Sequence, residues 1–195
     1  MRGQAGTTLS YSEKAQLNSL LHFDDNIDTS IICPGDIWVI NKQTNFFNLF
    51  SSNSEAAHQV ALFKSEIHDG TNSQVICMEI SPACDFSNNK KPFKTLALGV
   101  LVPKADVSNS LEGKLKKSDS LLLIPIVFSG EPSLLIISKK YVMAATTSKI
   151  ENLQKKYSGG ETVIQKVIRM RETLLLSWIQ SIASHNSRIG TVSFH

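Results

Sequence analysis

Cysteine is scarce in this chain: Cys33, Cys77 and Cys84 among 195 residues. An odd number, widely spaced and without a Cys-x-x-Cys pair, excludes a disulfide framework and predicts a reducing compartment. The five histidines, His22, His58, His68, His185 and His195, lack the spacing of metal ligands. No metal and no other cofactor is therefore expected. Arginine is missing from Arg2 to Arg169. Long apolar runs are missing too. The strongest, from Leu121 to Phe128, is interrupted by Pro125 and is far too short to cross a bilayer. The opening Met1-Arg2-Gly3-Gln4 leads into Thr, Ser and Tyr rather than an apolar stretch, so no secretory signal is expected. These absences predict a cytoplasmic protein with no membrane partner.

What is present suits a folded domain. Apolar residues make up 42% and charged residues 19%, enough for a sizeable core. The net charge of +3 hides an asymmetry. Residues 1–85 carry four basic and ten acidic side chains, residues 86–195 sixteen and seven. A basic half attracts phosphates through its long-range field, and the same lysines also serve to keep a surface soluble.

Residues 1–8 read as a loose leader. Ser10 and Glu13 have capping-box spacing, and Ala15, Leu17, Leu20 and Leu21 predict a short amphipathic helix to about residue 22. After the turn Pro34-Gly35-Asp36, the run Ile37-Trp38-Val39-Ile40 predicts a buried strand. Phe46, Phe47 and Phe50 fit either a helical turn on the core or an exposed loop. Strands are expected over His58 to Ile67, Gln74 to Ile80 and Phe93 to Val102. Asp106 to Ser120 reads as a short helix or a mobile loop. Leu121–Val127 and Leu134–Ser138 flank Ser129-Gly130-Glu131-Pro132, a hairpin with a four-residue turn. From Glu161 the residues Ile164, Val167, Ile168, Leu175, Trp178, Ile179 and Ile182 recur at steps of three and four, predicting one long helix with Arg169 on its solvated face. Hairpin spacing without crossover helices predicts a β-rich α+β chain. The expected parts are a leader and short helix over 1–33, a small antiparallel barrel over 34–145 and a helical extension over 146–195 packed on it.

Two stretches carry a family resemblance. Pro34-Gly35-Asp36-Ile37-Trp38-Val39 opens a Gly-Asp strand. Val75 to Pro82 ends in Glu79-Ile80-Ser81-Pro82, followed by the polar turn Ser87-Asn88-Asn89-Lys90 and by Leu96 to Pro103, an apolar strand ending in proline. In this order they resemble the PemK/MazF family of toxin barrels over about residues 34–128. The resemblance implies an SH3-like, PemK-like barrel and a bacterial, phage or mobile-element setting of the toxin-antitoxin or bacterial defence kind. Family members that cut RNA carry an Arg-Pro pair entering the second strand. Gln74 and its neighbours stand there in this chain. They also carry Thr or Ser after the proline closing the next strand, where this chain has Lys104 and Ala105. The resemblance thus implies the barrel more than the activity.

Candidate chemistry is thin. Cys84 beside Asp85 suggests a nucleophile with an orienting carboxylate, with His58 or His68 as base. An adjacent Asp raises a thiol pKa, however, and a plain turn accounts for both residues. Lys104 is the cation available for a displaced ribonuclease set. Asp36 reads as an Asx-type turn residue. Lys90, Lys91, Lys94, Lys114, Lys116, Lys117, Lys139 and Lys140 lie in or beside loops that track a phosphate backbone if they converge, and Arg171 adds a forked phosphate binder. The expected function is a non-catalytic binding module for a partner protein or a nucleic acid, RNA or DNA, with a homodimer left open. The alternatives are an endoribonuclease with a displaced catalytic set and a cysteine hydrolase centred on Cys84.

Overall fold

The computed structural model describes residues 8–48, 72–82, 93–155 and 160–189. Its elements in chain order are α1 (Tyr11–His22), β1 (Phe23–Asp24), β2 (Asp36–Ile40), α2 (Gln43–Asn48), β3 (Gln74–Glu79), β4 (Phe93–Pro103), a 3-10 turn (Lys104–Asp106), α3 (Asn109–Lys116), β5 (Leu121–Phe128), β6 (Glu131–Thr146), α4 (Thr147–Gln154), β7 (Ile164–Met170) and α5 (Glu172–Ile189). Phe50, the strand expected over 58–67 and the loop holding Cys84 lie outside the described residues.

The strands form one antiparallel sheet in the order β1-β7-β2-β3-β4-β6-β5. It curls into a seven-stranded half-barrel, and the chain is α+β with a dominant sheet. One apolar cluster takes residues from every strand: Phe23, Ile37, Met78, Ala97, Ile124, Leu135 and Met170. Leu175, Trp178 and Ile182 of α5 fill it. The opposite face carries Trp38, Cys77 and Leu98 under Phe46 of α2 and under Ile150 and Leu153 of α4. Phe46 and Phe47 are therefore core residues, their rings meeting edge to face at 5.2 Å. A third cluster seats α3, through Leu115, on Val100, Leu134 and Ile136.

The long C-terminal helix starts later than its apolar spacing predicts. Ile164–Met170 is a strand pairing with both β1 and β2, and the helix runs only over Glu172–Ile189. Apolar steps of three and four also fit a strand buried on both faces, and the β-branched residues Val163, Ile164, Val167 and Ile168 favour the extended form. Trp178 is 2% exposed against its own sheet, so the helix covers the half-barrel.

The hairpin is tighter than expected. Ser129 (φ 50°) and Gly130 (φ 82°) alone make the turn, and Glu131 already pairs with Phe128. Two positive φ values match the right-handed twist of the flanking strands, which a longer turn is not needed to achieve. Further along, β6 bulges. Ala97 faces Val142 whereas Gly99 faces Ile137, so Ser138 to Tyr141 stand opposite a single residue of β4. A Cβ on Gly99 would lie 2.4 Å from the Ile136 carbonyl oxygen, which is why glycine stands at the bulge.

Helix α1 starts as expected. Ser10 Oγ accepts from the Glu13 amide at 3.2 Å, and the Ser10 amide donates to Glu13 Oε2 at 2.7 Å. Its packing face differs from expectation. At 3.6 residues per turn Tyr11, Ala15 and Asn18 share one side. That side lies on the edge strand β5: Asn18 Nδ2 donates to the Pro125 carbonyl at 2.9 Å, and the Val127 amide donates to Ser19 Oγ at 2.7 Å. Tyr11 also donates to the Ser133 carbonyl at 3.0 Å. A small, polar helix face satisfies an open strand edge better than leucines do, because the edge offers unpaired N–H and C=O groups. Of the expected stripe only Ala15 is buried. Leu17, Leu20 and Leu21 face solvent at 44%, 73% and 52% exposure.

Candidate functional site

Two features stand out from the residues upward: a buried row of charges at one end of the sheet, and the exposed surfaces around α1 and the β6 bulge.

Asp36 opens β2 on the same side as Trp38 and is fully buried. Its Oδ2 accepts the Cys33 amide at 2.8 Å, three residues back across the turn, rather than an amide further on as an Asx-type turn would have it. The structure adds two cations. Lys166 Nζ lies 2.8 Å from Oδ2 and Arg169 Nε lies 2.6 Å from Oδ1. Arg169 is thus a sheet residue paired across β2, not part of a solvated helix face. The Lys166 side chain is 1% exposed, donates also to the Asp28 and Ile31 carbonyls, and sits 5.8 Å from the centre of the Trp38 ring. An ammonium so enclosed needs every one of these partners.

The row continues across the sheet. Ile37 faces Met78, so the same register sets Asp36 opposite Glu79, and the Gly35 amide donates to the Glu79 carbonyl at 2.9 Å. Glycine at this position lets β7 come close: its φ is +85°, and a Cβ there would stand 2.2 Å from the Met170 carbonyl oxygen. Glu79 Oε1 accepts the Ser81 amide at 3.0 Å, while Oε2 is buried without a partner. Burial pushes the Glu79 carboxyl up to about 7, against the opposing pull of the Ser81 hydrogen bonds and the Lys94 charge. Lys94 is itself buried on β4 rather than exposed in or beside a loop. Asp36, Glu79 and Lys166 of the row are buried, while the Arg169 side chain is 25% exposed.

The other expected residues separate. Cys84, Asp85, Lys90, Lys91, His58 and His68 lie outside the described residues. Lys104 is committed: it pairs with Glu112 at 2.6 Å and lies 4.8 Å from the centre of the Tyr11 ring. Lys116 pairs with Glu112 at 2.7 Å one turn along α3. These two hydrogen-bonded ammoniums hold the Glu112 carboxyl below its ordinary range. Arg171 is at the C-terminal end of α1, where its amide donates to the His22 carbonyl at 2.8 Å and its guanidinium to the Leu21 carbonyl at 3.3 Å. Lys114, Lys117, Lys139 and Lys140 make no ion pair among the described residues. Lys139 and Lys140 ride on the β6 bulge, and the Lys139 amide donates to the Ser120 carbonyl at 2.8 Å, close in sequence to Lys117. Beside them Lys139, Ser118, Asp119, Ser181 and His185 line a polar cleft of about 300 Å³.

The two described cysteines, half-buried Cys33 and buried Cys77, are free thiols, and burial pushes the Cys77 thiol up. Among the described residues no three His, Cys, Asp or Glu side chains gather to hold a metal, and no helix is long and apolar enough to cross a membrane. No family model, curated protein or solved structure matches the chain.

Proposed function

We propose that this protein is a non-catalytic binding module of the SH3-like, PemK/MazF-like kind whose principal partner is another protein. The observation that carries this reading is the outward stripe of α1. Leu17, Leu20 and Leu21 lie on one side of a capped helix, and the opposite side is already satisfied by β5. Three solvent-facing leucines on one helix face form the kind of apolar patch that marks an interface. The missing Arg-Pro pair, the commitment of Lys104 to Glu112 and the burial of Asp36 and Glu79 all favour binding over ribonuclease chemistry. The setting implied by the PemK/MazF resemblance, a bacterial or mobile-element conflict system, supplies the class of partner to screen: proteins encoded beside this one.

A second reading rests on the β6 bulge. Lys114, Lys117, Lys139 and Lys140 are unpaired among the described residues, and a bulge re-aims its side chains away from the sheet. They suit a nucleic-acid backbone. The test separates the two. The Leu17→Glu, Leu20→Glu, Leu21→Glu triple variant should lose the protein partner and keep any RNA or DNA retardation, and the Lys139→Glu, Lys140→Glu variant should do the reverse. Retention of both activities by both variants would reject both surfaces.

A further inference from the structure

We propose that the cleft between α1, α3 and β5 is a binding site for a small carboxylate with an apolar body, such as a medium-chain acyl carboxylate. The site is independent of the outward leucine stripe and of the bulge lysines.

The cleft has a volume of about 280 Å³. Its floor is apolar, from Leu123, Pro125 and Leu134, and Tyr11 forms one wall. The Tyr11 hydroxyl is engaged by the Ser133 carbonyl, and burial, then the Glu112 charge, pushes the phenol well above its usual range. The wall is therefore a neutral ring with its polar tip occupied. Lys14, Lys116 and Glu112 form the rim. Glu112 already answers two ammoniums, those of Lys104 and Lys116. Lys14 is exposed and makes no ion pair among the described residues. Within the rim Lys14 and Lys116 stand against Glu112, two cations to one anion, which leaves it net positive above an apolar floor.

That combination selects the ligand. A floor made only of Leu123, Pro125 and Leu134 rejects sugars and free phosphate, whose hydroxyls and oxygens find no partners on it. A positive rim selects an anionic head over a neutral or cationic one. Lysines present point charges rather than the forked donors that favour phosphate, which suits a single carboxylate. Ligand sites run from about 300 to 1,000 Å³, so a cleft at the lower end takes a medium chain and excludes a long lipid. The aromatic wall adds a rigid flat surface against which such a chain packs.

The experiment is an amide NMR titration of the full chain with sodium octanoate, octan-1-ol and octylammonium chloride. Octanoate should shift the amides of Lys14, Lys116, Leu123 and Leu134 saturably. Octan-1-ol should bind about tenfold more weakly, since it lacks the charge-assisted bond to the rim, and octylammonium more weakly still. Lys14→Glu, an exposed change that leaves the fold intact, should abolish the preference for octanoate over octan-1-ol. Equal binding of octanoate and octan-1-ol would overturn the proposal. So would shifts centred on Leu17, Leu20 and Leu21, or an unchanged preference in Lys14→Glu.

Discussion

Arg169 Nε donates to Asp36 Oδ1 at 2.6 Å across the β2–β7 ladder, joining residues 133 positions apart in the chain. The same carboxylate answers the buried ammonium of Lys166, so two cations share one acidic side chain at the sheet end. Removing a charge there differs from removing a surface charge, because what remains is enclosed.

Asp36→Asn is expected to destabilise the protein by about 3–5 kcal/mol, since it leaves the Lys166 ammonium without its counter-ion. Adding Lys166→Met should recover part of that loss, because the unpaired charge is then gone. Urea unfolding of the single and double variants measures both. A cost near that of a surface ion pair, about 1 kcal/mol or less, would show that water reaches the cluster.

Glu79 makes stability depend on pH in a defined direction. Its carboxyl titrates near 7 in the folded chain against 4.5 for the unperturbed group. Between these values the native state holds a proton that the unfolded chain has released. Stability is therefore greatest below about pH 4.5 as far as this group is concerned. It falls by about 3 kcal/mol as pH rises through 7 and is flat above that. Glu79→Gln removes the slope, so its stability relative to the parent should rise between pH 5 and pH 8. Parallel denaturation curves for the two proteins across that range would refute the assignment.

Trp178→Ala should cost about 3–5 kcal/mol, as expected for emptying a buried indole site. The solution mass should not change, because the side chain packs against its own sheet. Thermal melting with light scattering tests this. A shift in mass at unchanged melting temperature would place Trp178 in an interface between chains.

Two glycines with positive φ should respond differently to alanine. Gly130 (φ +82°) has nothing within 4 Å of an added Cβ, so only the backbone term of about 1–2 kcal/mol applies. Gly35 carries the same term and a Cβ placed 2.2 Å from a backbone oxygen, so Gly35→Ala should cost clearly more. Equal melting temperatures for the two variants would contradict the close approach.

Leu20→Glu should leave stability within about 0.5 kcal/mol of the parent, because the side chain is 73% exposed. The same change should weaken partner capture. A large loss of stability would mean that the leucine face is covered within the chain.

Local signals in the sequence located local features. The capping box at Ser10 and Glu13 marked the start of α1, and the β-branched run after Gly35 marked β2. Periodicity did less well where two structures share it. Ile164, Val167 and Ile168 fit helical steps and also a strand covered on both sides, and only their place between β1 and β2 decides the matter. The leucines of α1 misled for a related reason: amphipathic spacing identifies a face without saying which face the fold needs, and a strand edge needed the polar one. Asp36, Lys166 and Arg169 were invisible as a cluster, because no local pattern links positions 133 apart. A charged residue at the buried parity of Trp38 and Ile40 was the one available hint. The lysines showed composition and not geometry, so Lys94 and Lys114 read alike in sequence, though one is buried and the other exposed.

The position of β7 between β1 and β2 has a consequence for biosynthesis. During synthesis β2 to β6 emerge first and can pair among themselves, β4 with β6 across the intervening β5, but β2 has one bare edge until Ile164–Met170 leaves the ribosome. Among the described residues β1 pairs only with β7 and must wait as well. α5, which fills the concave core, is made last of all. Until then the nascent protein presents a bare apolar strand edge and an unfilled core, a state open to edge-to-edge pairing with other chains. Closure of so distant a strand pair favours slow folding over stepwise folding as the strands emerge. Chains stalled before residue 164 should accumulate as chaperone clients rather than as a smaller folded domain.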